Sequence, residues 1–443
     1  MIKNPVKKRL ARCIDGLLAG LVSAGRFLGA QYPRCDGLAP EHIENILVVR
    51  LDHIGDVIMT TPIFRLLKER YPRGRITCLV GSWGRAVVEN NPHLDEILTY
   101  DAPWWTKSRP EGNRSGLIAQ GRELVHLLAD LRRRRFDLLI DPRGDLRHLF
   151  LFGYLGRPRY VLSYDRTGGR YLLAAATTFA EASHEIDKGV RLLEHLGIET
   201  VKTPPRVEIY PDAARETGVE AFLRERKIQG RPLFIFAPGA RKHLKRWPEK
   251  NFAALADWLL TRCPQGVVVL AGASWDREVA ARITAHSRCP EGIVDIAGRP
   301  DIVSLFALMR RSRLIVANDG PIAHMSSALD IPTVVLFGPV QMERFLPRGE
   351  RSVAIKQPFP CSPCLLEDDR CSVLQAVAVP GACMEAITVA EVQRHIEKLW
   401  ESDDQDRDGG GDPGVGATLS PGSPGGGGTA ATKGGNRRIW EGG

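Results

Sequence analysis

The sequence has no long apolar run near its N-terminus: the apolar stretch there is too short to cross a membrane. Gly16–Gly25 supplies ten residues between the charged Asp15 and Arg26, whereas a transmembrane helix needs about 20 apolar residues. Basic residues precede the stretch, namely Lys3, Lys7, Lys8, Arg9 and Arg12. For residues 1–44 we predict a basic amphipathic segment that lies on a membrane interface. A signal-peptide mimic and a helix packed on the protein's own surface remain open alternatives.

Two patterns typical of phosphate chemistry occur only in the Gly-rich tail. Gly-x-Gly-x-x-Gly spacing appears at 409–414 and follows no predicted strand, which disfavours a dinucleotide cofactor. Asp-x-Asp spacing occurs only within 404–408, in a Gly-rich tail, so no such pair ends a strand where it could hold a diphosphate through a divalent ion. We therefore expect no required metal or other cofactor.

Cysteines do not form a disulfide framework, which favours a reducing cytosol. Five of the nine are isolated along the chain: Cys13, Cys35, Cys78, Cys263 and Cys289. The other four lie closer together: Cys361, Cys364, Cys371 and Cys383. A structural zinc site, packed thiols and a facultative disulfide all remain open for this second set.

Composition is that of a globular protein with room for two domains. The chain has 443 residues, a net charge of +9 and a pI near 9.1, so its partner is expected to be anionic. Nucleic acid is disfavoured, because the basic loop described below is not interleaved with stacking aromatics and no recognition motif is present.

From residue 45 onward, short β-branched runs alternate with helical patterns, which is typical of parallel sheets wrapped by helices. Predicted strands are Ile46–Val49, Arg75–Val80, Phe136–Asp141, Leu233–Ala237, Val267–Ala271, Leu314–Ala317 and Thr333–Phe337. The predicted domains are 45–205 and 206–400, both Rossmann-like, followed by a disordered tail over 401–443.

Two strand-to-helix loops carry a carboxylate beside a glycine. Gly55 and Asp56 follow the first strand, and Asp56 at a helix start could accept a proton from an attacking hydroxyl or merely cap the helix. Asp319, Gly320 and His324 follow the strand Leu314–Ala317, where backbone N–H groups could hold phosphate and Asp319 could bind sugar hydroxyls.

Two further loops are basic or acidic. The loop Pro238–Pro248 contains Lys245 among several cations, which suit a diphosphate. A solvated charge run is the usual alternative, but the Gly, Trp and Pro that frame the cations favour a shaped loop. Asp276 and Glu278 follow the strand Val267–Ala271 and could bind ribose hydroxyls or only favour the helix dipole.

Together these loops resemble those of glycosyltransferase family nine, the ADP-heptose:lipopolysaccharide heptosyltransferases. The resemblance covers about Ile46 to Trp400. Its motifs are the segment 46–56 followed by Thr60–Pro62, then Lys245–Pro248, then Asn318 and Asp319 with His324 leading into Phe337–Pro339.

The resemblance implies a GT-B architecture, two Rossmann-like domains facing a cleft, with the acceptor on the N-terminal half and an ADP-sugar donor on the C-terminal half. It implies an inverting, metal-independent transfer of heptose to a lipopolysaccharide core acceptor, an anionic glycolipid, on the cytoplasmic face of the inner membrane. Asp56 matches the catalytic base, Lys245 the lysine on the diphosphate and Asp319 the aspartate on the donor sugar. Gly320, His324 and either Asp276 or Glu278 are expected donor contacts, and Arg50 and Arg147 expected acceptor contacts.

The loop of Asp319 departs from the family, which commonly places Ser, Thr or Gly and then Gly after the aspartate. Here Gly320 and Pro321 follow directly, so we expect altered donor contacts. Alternatives are a GT-B transferase with another nucleotide sugar, a sugar-nucleotide epimerase of similar fold, or a non-catalytic protein that binds nucleic acid or saccharide.

Overall fold

The computed structural model describes residues 5–27, 38–105, 114–177, 179–180, 183–199, 205–359, 361–364 and 381–408. The chain divides into two compact units. Unit 1 comprises Met1–Ala213, Gly320–Leu329 and Gln341–Glu350, and unit 2 comprises Ala214–Asp319, Asp330–Val340 and Arg351–Gly443. Two short segments from the later part of the chain therefore belong with unit 1, and the domain limits given above stay predictions.

Each unit contains a six-stranded sheet whose paired strands are all parallel. Unit 1 has β1 (Asn45–Arg50), β2 (Arg75–Val80), β3 (Glu96–Thr99), β4 (Leu138–Asp141), β5 (Tyr160–Tyr164) and β6 (Ala175–Thr177). Unit 2 has β7 (Leu233–Ala237), β8 (Val267–Leu270), β9 (Ile293–Asp295), β10 (Ser312–Asn318), β11 (Thr333–Phe337) and β12 (Ser352–Lys356). The spatial orders are β3-β2-β1-β4-β5-β6 and β12-β11-β10-β7-β8-β9, the doubly wound order in both units.

The helices connect these strands. They are α1 (Pro5–Phe27), α2 (Ile54–Arg70), α3 (Arg85–Val88), α4 (Arg114–Arg134), α5 (Leu146–His148), α6 (Glu185–Arg191), α7 (Ala213–Glu225), α8 (Glu249–Arg262), α9 (Arg277–His286), α10 (Ile302–Met309), α11 (Pro321–Ser326), α12 (Met342–Phe345), α13 (Ala382–Glu385) and α14 (Val389–Asp408). A π-helix covers Leu149–Leu155, and 3-10 turns cover Pro40–His42, Ser82–Gly84, Arg170–Leu172, Leu192–Leu196, His243–Lys245, Ser274–Asp276 and Pro290–Gly292.

The central strands are buried along almost their whole length because helices cover both faces of a parallel sheet. Residues 46–50 of β1 and all of β7 are buried. In unit 2, α8, α9 and α14 pack their apolar sides against the sheet, and Trp258 of α8 stacks on Trp400 of α14 with ring centroids 6.2 Å apart. The cores of the two sheets thus fix the strand ends on which the candidate site depends.

All seven predicted strands are confirmed, with ends shifted by at most two residues. Asp301 and Thr388 cap helices: the carboxylate of Asp301 accepts the N–H groups of Val303 and Ser304, and the hydroxyl oxygen of Thr388 accepts the N–H of Glu391. The last helix, α14, continues to Asp408, eight residues into the segment 401–443 that was predicted to be a disordered tail. The remainder of the predicted tail lies outside the described residues.

The predicted N-terminal helix is present as α1 and packs partly on unit 1. Val22 is buried in the core beside β1, and Asp15 accepts a hydrogen bond from the N–H of Gly169 at 3.0 Å. Within the described part of the chain, no helix is both long enough and apolar enough to cross a membrane.

Candidate active site

Asp56 lies in the first turn of α2, just after the loop that leaves β1. Its side chain is 22% exposed, with Oδ1 3.4 Å from Nη2 of Arg50. Oδ2 accepts the backbone N–H of His53 at 3.3 Å. Burial raises the pKa of Asp56; Arg50 opposes that rise, and the like charge of Asp52 adds to it. A solvent-accessible carboxylate that is more basic than usual is suited to accept a proton from a hydroxyl.

Arg50 is buried between two carboxylates at the end of β1. Its Nε lies 3.3 Å from Oδ2 of Asp52, and the same guanidinium reaches Asp56 through Nη2. Burial alone would lower the pKa of Arg50, but the two carboxylates raise it. Arg50 therefore carries its charge and restrains Asp56, while the acceptor contact assigned to Arg50 stays a prediction.

Asp52 and Arg143 extend this ion-pair network from β1 to the neighbouring strand β4. Asp52 is fully buried, and its Oδ1 lies 2.9 Å from Nη1 of Arg143. Although burial opposes it, Arg50 and Arg143 together lower the pKa of Asp52. The guanidinium of Arg143 also stacks on the ring of Trp105, 4.3 Å from its centroid. Sequence reasoning missed these residues, although Arg143 directly follows a predicted strand and the strand-end rule could have found it.

Arg147, the second expected acceptor contact, lies in the same region. Its Nε and Nη2 make a bidentate pair with the carboxylate of Asp145 at 2.9 and 2.6 Å. Its guanidinium covers the ring of Trp104 at 4.9 Å. Trp104, Trp105, Arg143 and Arg147 thus place aromatic faces and cations around the loop after β4, a combination suited to an anionic saccharide.

The loop after β4 is held in shape by Asp141, the last residue of that strand. Its carboxylate accepts the backbone N–H groups of Gly144 and Asp145 at 3.1 and 3.2 Å. Gly144 has a φ of +70°, and a Cβ there would lie 2.6 Å from the carbonyl oxygen of Tyr164. Glycine is therefore required at this turn, which directs Arg143 and Arg147 outward from the strand end.

His324 belongs to unit 1, where it packs beside the loop of Asp56. A Cβ built on Gly55 would lie 3.7 Å from Cδ2 of the buried His324. Gly320 precedes α11 with extended backbone, and α11 is six residues long. The donor roles expected for Gly320 and His324 stay predictions; the geometry gives His324 a packing contact next to the loop of Asp56.

Lys245 and Asp319, predicted separately, form a direct ion pair in unit 2. Nζ of Lys245 lies 2.5 Å from Oδ2 of Asp319, and both side chains are largely buried. Lys245 ends a 3-10 turn in the loop after β7, and Asp319 follows β10, the strand next to β7 in the sheet. Because an ammonium has three donors, Lys245 can bind Asp319 and a phosphate oxygen together.

Asn318 ties the two loops that carry this pair. Its Nδ2 donates to the carbonyl oxygen of Pro238 at 2.7 Å, and its Oδ1 accepts the backbone N–H of Trp247 at 3.2 Å. Trp247 is itself buried, and its Nε1 donates to the carbonyl oxygen of Ile387 at 2.8 Å. Lys245 is therefore set in a loop anchored at both ends, not in a solvated charge run.

The structure distinguishes Asp276 from Glu278. Asp276 is buried, accepts the N–H of Ala273 at 3.0 Å and pairs with Arg246 of the basic loop at 3.2 Å. Burial raises the pKa of Asp276, which the Ala273 N–H and Arg246 oppose. A Cβ on Gly239 would lie 2.2 Å from its carboxylate, so the basic loop passes directly over Asp276. Glu278 is 88% exposed and lies 3.7 Å from Arg282.

Three of the four clustered cysteines are described, and two segments that contain them approach the same turn. Cys364 donates its N–H to the carbonyl oxygen of Pro339 at 2.9 Å, and a Cβ on Gly338 would lie 3.1 Å from Sγ of Cys383. Cys371 lies outside the described residues. Among the residues described, no group of three or more His, Cys, Asp or Glu side chains could hold a metal ion. The zinc alternative stays a prediction.

Comparison with known proteins places the chain among glycosyltransferases. A family model described as "Glycosyltransferase family 9 (heptosyltransferase)" matches residues 124–374. Lipopolysaccharide heptosyltransferase 2 of Salmonella typhimurium is 27% identical over 326 residues, which cover 70% of this chain and 87% of that protein.

Solved structures agree in fold. The structure of E. coli ADP-heptose lipopolysaccharide heptosyltransferase II has a TM-score of 0.64 at 20% identity, covering 81% of this chain and 99% of that one. A family 9 glycosyltransferase from Veillonella parvula has a TM-score of 0.68 at 20% identity, covering 83% and 99%. The predicted GT-B fold is confirmed.

Proposed function

Because the chain belongs to glycosyltransferase family 9, we propose that it is an inverting heptosyltransferase that moves heptose from ADP-heptose to a lipopolysaccharide core acceptor. The reaction is proposed to need no metal and to take place at the cytoplasmic face of the inner membrane, with the protein bound peripherally. Lipopolysaccharide is the acceptor class named for the Salmonella relative, and ADP-heptose is named for the E. coli structure.

The observation that carries the proposal is the state of Asp56. Its carboxylate is part-exposed, is held by Arg50 and the His53 N–H, and has a raised pKa. The acceptor hydroxyl gives its proton to Asp56 as its oxygen attacks the anomeric carbon. The bond from that carbon to the diphosphate oxygen breaks on the opposite face, so the configuration inverts and ADP leaves.

Lys245 stabilises the negative charge that develops on the leaving diphosphate. Preorganised cations stabilise such charge strongly because they need not reorganise during the reaction. Asp319 holds Lys245 in place and remains able to accept a hydroxyl of the donor sugar. Asp276 under the basic loop is the better placed of the two predicted ribose-binding acids, because Glu278 points into solvent.

On the acceptor side, Arg143 and Arg147 with Trp104 and Trp105 supply charge and stacking for an anionic saccharide. Each of the two guanidiniums is already paired with a carboxylate, Asp52 or Asp145. This keeps them oriented and leaves their remaining N–H groups for phosphate or carboxylate groups of the acceptor. Among the described residues, no comparable set of side chains supports a nucleic-acid-binding role.

The test is turnover by the purified full chain with a panel of nucleotide sugars and a delipidated heptose-free core acceptor, with release of nucleoside diphosphate as the readout. We expect ADP release with ADP-heptose and little with UDP- or GDP-sugars, and an inverted anomeric configuration in the product by NMR. Glu69→Gln, at the far end of α2 from Asp56, is the matched control and should turn over normally. A different preferred donor, or interconversion of the sugar nucleotide without transfer, contradicts the proposal.

A further inference from the structure

Helix α1 is fastened to unit 1 along one side. Asp15 accepts the N–H of Gly169 at 3.0 Å, and its backbone oxygen accepts the hydroxyl of Tyr171 at 3.3 Å. Gly168 has a φ of +115°, and a Cβ there would lie 2.6 Å from the carboxyl carbon of Asp15. Two helical turns further along α1, Val22 is buried in the core. Asp15 and Val22 share a face, since seven residues are close to two turns.

A different side of α1 exposes large apolar side chains. Ile14, Leu17 and Leu21 are 43%, 71% and 59% exposed, and their spacing places them within an arc of about 60° around the helix. Among the described residues, six large hydrophobic side chains are strongly exposed, and four of them, including Phe27, lie on α1. Such a concentration on one short segment marks an interaction surface.

The charge near the apolar stripe formed by Ile14, Leu17 and Leu21 indicates what kind of partner it binds. Residues 1–27 contain six Lys and Arg residues and one acid, Asp15. That one acid accepts the N–H of Gly169, and the other charged residues of this segment are all basic. A basic segment joined to an exposed apolar stripe is typical of helices that lie on anionic bilayers.

We propose that α1 is a docking helix for an anionic lipid bilayer, with Ile14, Leu17 and Leu21 entering the interface and Asp15 fastening the helix to unit 1. This deepens the proposed function and rests on it only in that the acceptor is lipid-linked. A simple lipid tether would not fix the orientation of the protein. The contacts of Asp15 with unit 1 do so, and they hold unit 1, which carries Asp56, in a set orientation on the membrane surface from which the acceptor comes.

The experiment is vesicle flotation of the full chain with phosphatidylethanolamine:phosphatidylglycerol vesicles and, in parallel, pure phosphatidylcholine vesicles. We expect preferential binding to the anionic vesicles that weakens with salt. Leu17→Asp with Leu21→Asp should weaken partitioning by about tenfold or more, because two apolar side chains no longer enter the interface. Val125→Asp, which places the same charge at a 65% exposed apolar position on α4, is the matched control and should float like the parent.

A second variant tests the electrostatic part. Lys7→Glu with Lys8→Glu should remove most of the salt-sensitive binding. Equal flotation with neutral vesicles, or undiminished binding of the Leu17/Leu21 variant, overturns the proposal. A parent chain that dimerises in light scattering and loses its dimer on Leu17→Asp/Leu21→Asp, without binding vesicles, shows instead that the stripe joins two copies.

Turnover on the delipidated acceptor separates this proposal from the enzymatic one. The Leu17/Leu21 variant should retain normal turnover with that acceptor while losing turnover with vesicle-embedded acceptor. If the parent chain binds vesicles but transfers no heptose to either acceptor, the proposed function fails and the docking helix stands.

Discussion

Asp52 and Asp56 flank one guanidinium, yet their carboxyl pKa values move in opposite directions. Asp52 is in contact with both Arg50 and Arg143, and these cations outweigh its complete burial. Asp56 has a single, longer contact with Arg50 and feels the like charge of Asp52, so burial prevails. Two carboxylates whose environments push their pKa values apart indicate separate roles. Asp52 orients Arg50, and Asp56 is the group that we propose takes up the acceptor's proton.

Asp56→Asn should nearly abolish turnover. Loss of a positioned base costs about 100- to 10,000-fold in rate, and the amide keeps the size of the side chain, so donor affinity should change little. Because Asp56 is active only when deprotonated and its pKa is raised, kcat/KM of the parent should fall as pH drops through that raised pKa. Rate measurements on both proteins across pH check this.

Stability provides an independent readout for the same variant. A carboxyl group whose folded-state pKa exceeds its unfolded value stabilises the fold at low pH, and that stabilisation is lost as pH rises through the folded pKa. At neutral pH, Asp56→Asn should therefore have an unchanged or higher Tm. Turnover close to the parent's, or an acidic limb that survives the substitution, would remove Asp56 from the proposed mechanism.

At the scale of single elements, helix starts decide where the functional loops end. Asp301 caps the N-terminus of α10: its Oδ1 accepts the N–H groups of Val303 and Ser304, and its Oδ2 accepts the hydroxyl of Ser304. The helix it begins, α10, is buried over residues 303–309 and leads directly into β10, the strand that ends at Asn318 and Asp319.

Asp301→Ala should lower the free energy of unfolding by about 1 kcal/mol, and by no more than about 2 kcal/mol, because the first-turn N–H groups lose their acceptor. Urea denaturation followed by circular dichroism measures this. Asp301→Asn keeps a side-chain acceptor and should lose much less. Equal losses in the two variants would mean that the charge, through Arg215 at 3.4 Å, matters more than the cap.

Most strands with apolar runs could be predicted from the sequence, whereas the edge strands β3, β6, β9 and β12 and the internal strand β5 could not. The runs of β1, β7 and β11 are buried along almost their entire length, so composition alone marks them. The edge strand β12 is only half-buried, and β9 has three residues, so neither has a distinct pattern. Their place in the sheet comes from pairing with a neighbour already present.

Site residues divide in the same way. Asp56, Lys245 and Asp319 could be proposed from the sequence because each lies in a strand-end loop with an unusual local pattern. The network of Asp52, Arg143 and Trp105 was missed because its contacts join residues about 90 and about 40 positions apart in the sequence. The choice between Asp276 and Glu278 was also open, since residues two apart at a helix start point in different directions.

At the scale of the whole molecule, the same topological position is used twice. In a doubly wound sheet, strand order reverses between the first and fourth strands, and ligands bind outside the carboxyl ends there. Unit 1 places Asp56 after β1 and Arg143 after β4, which are neighbours; unit 2 places Lys245 after β7 and Asp319 after β10, which are also neighbours. The sequence located the strand ends, while the neighbour relations came from the sheets.

This arrangement assigns the leaving-group charge to a lysine, and the last prediction follows from it: transfer should persist in excess EDTA, whereas Lys245→Ala should weaken donor binding and slow turnover together. A lysine on the diphosphate acts in the ground state and matters more as bond cleavage places charge on the leaving oxygen, so both kinetic terms should suffer. Charge-assisted hydrogen bonds are worth about 1.5–3 kcal/mol, which corresponds to roughly a ten- to hundredfold loss in kcat/KM for the donor. Lys250→Ala, at an exposed position early in α8, removes a cation without touching Asp319 and should behave like the parent. Complete inactivation by EDTA that magnesium or manganese restores would show that an ion does what is assigned to Lys245.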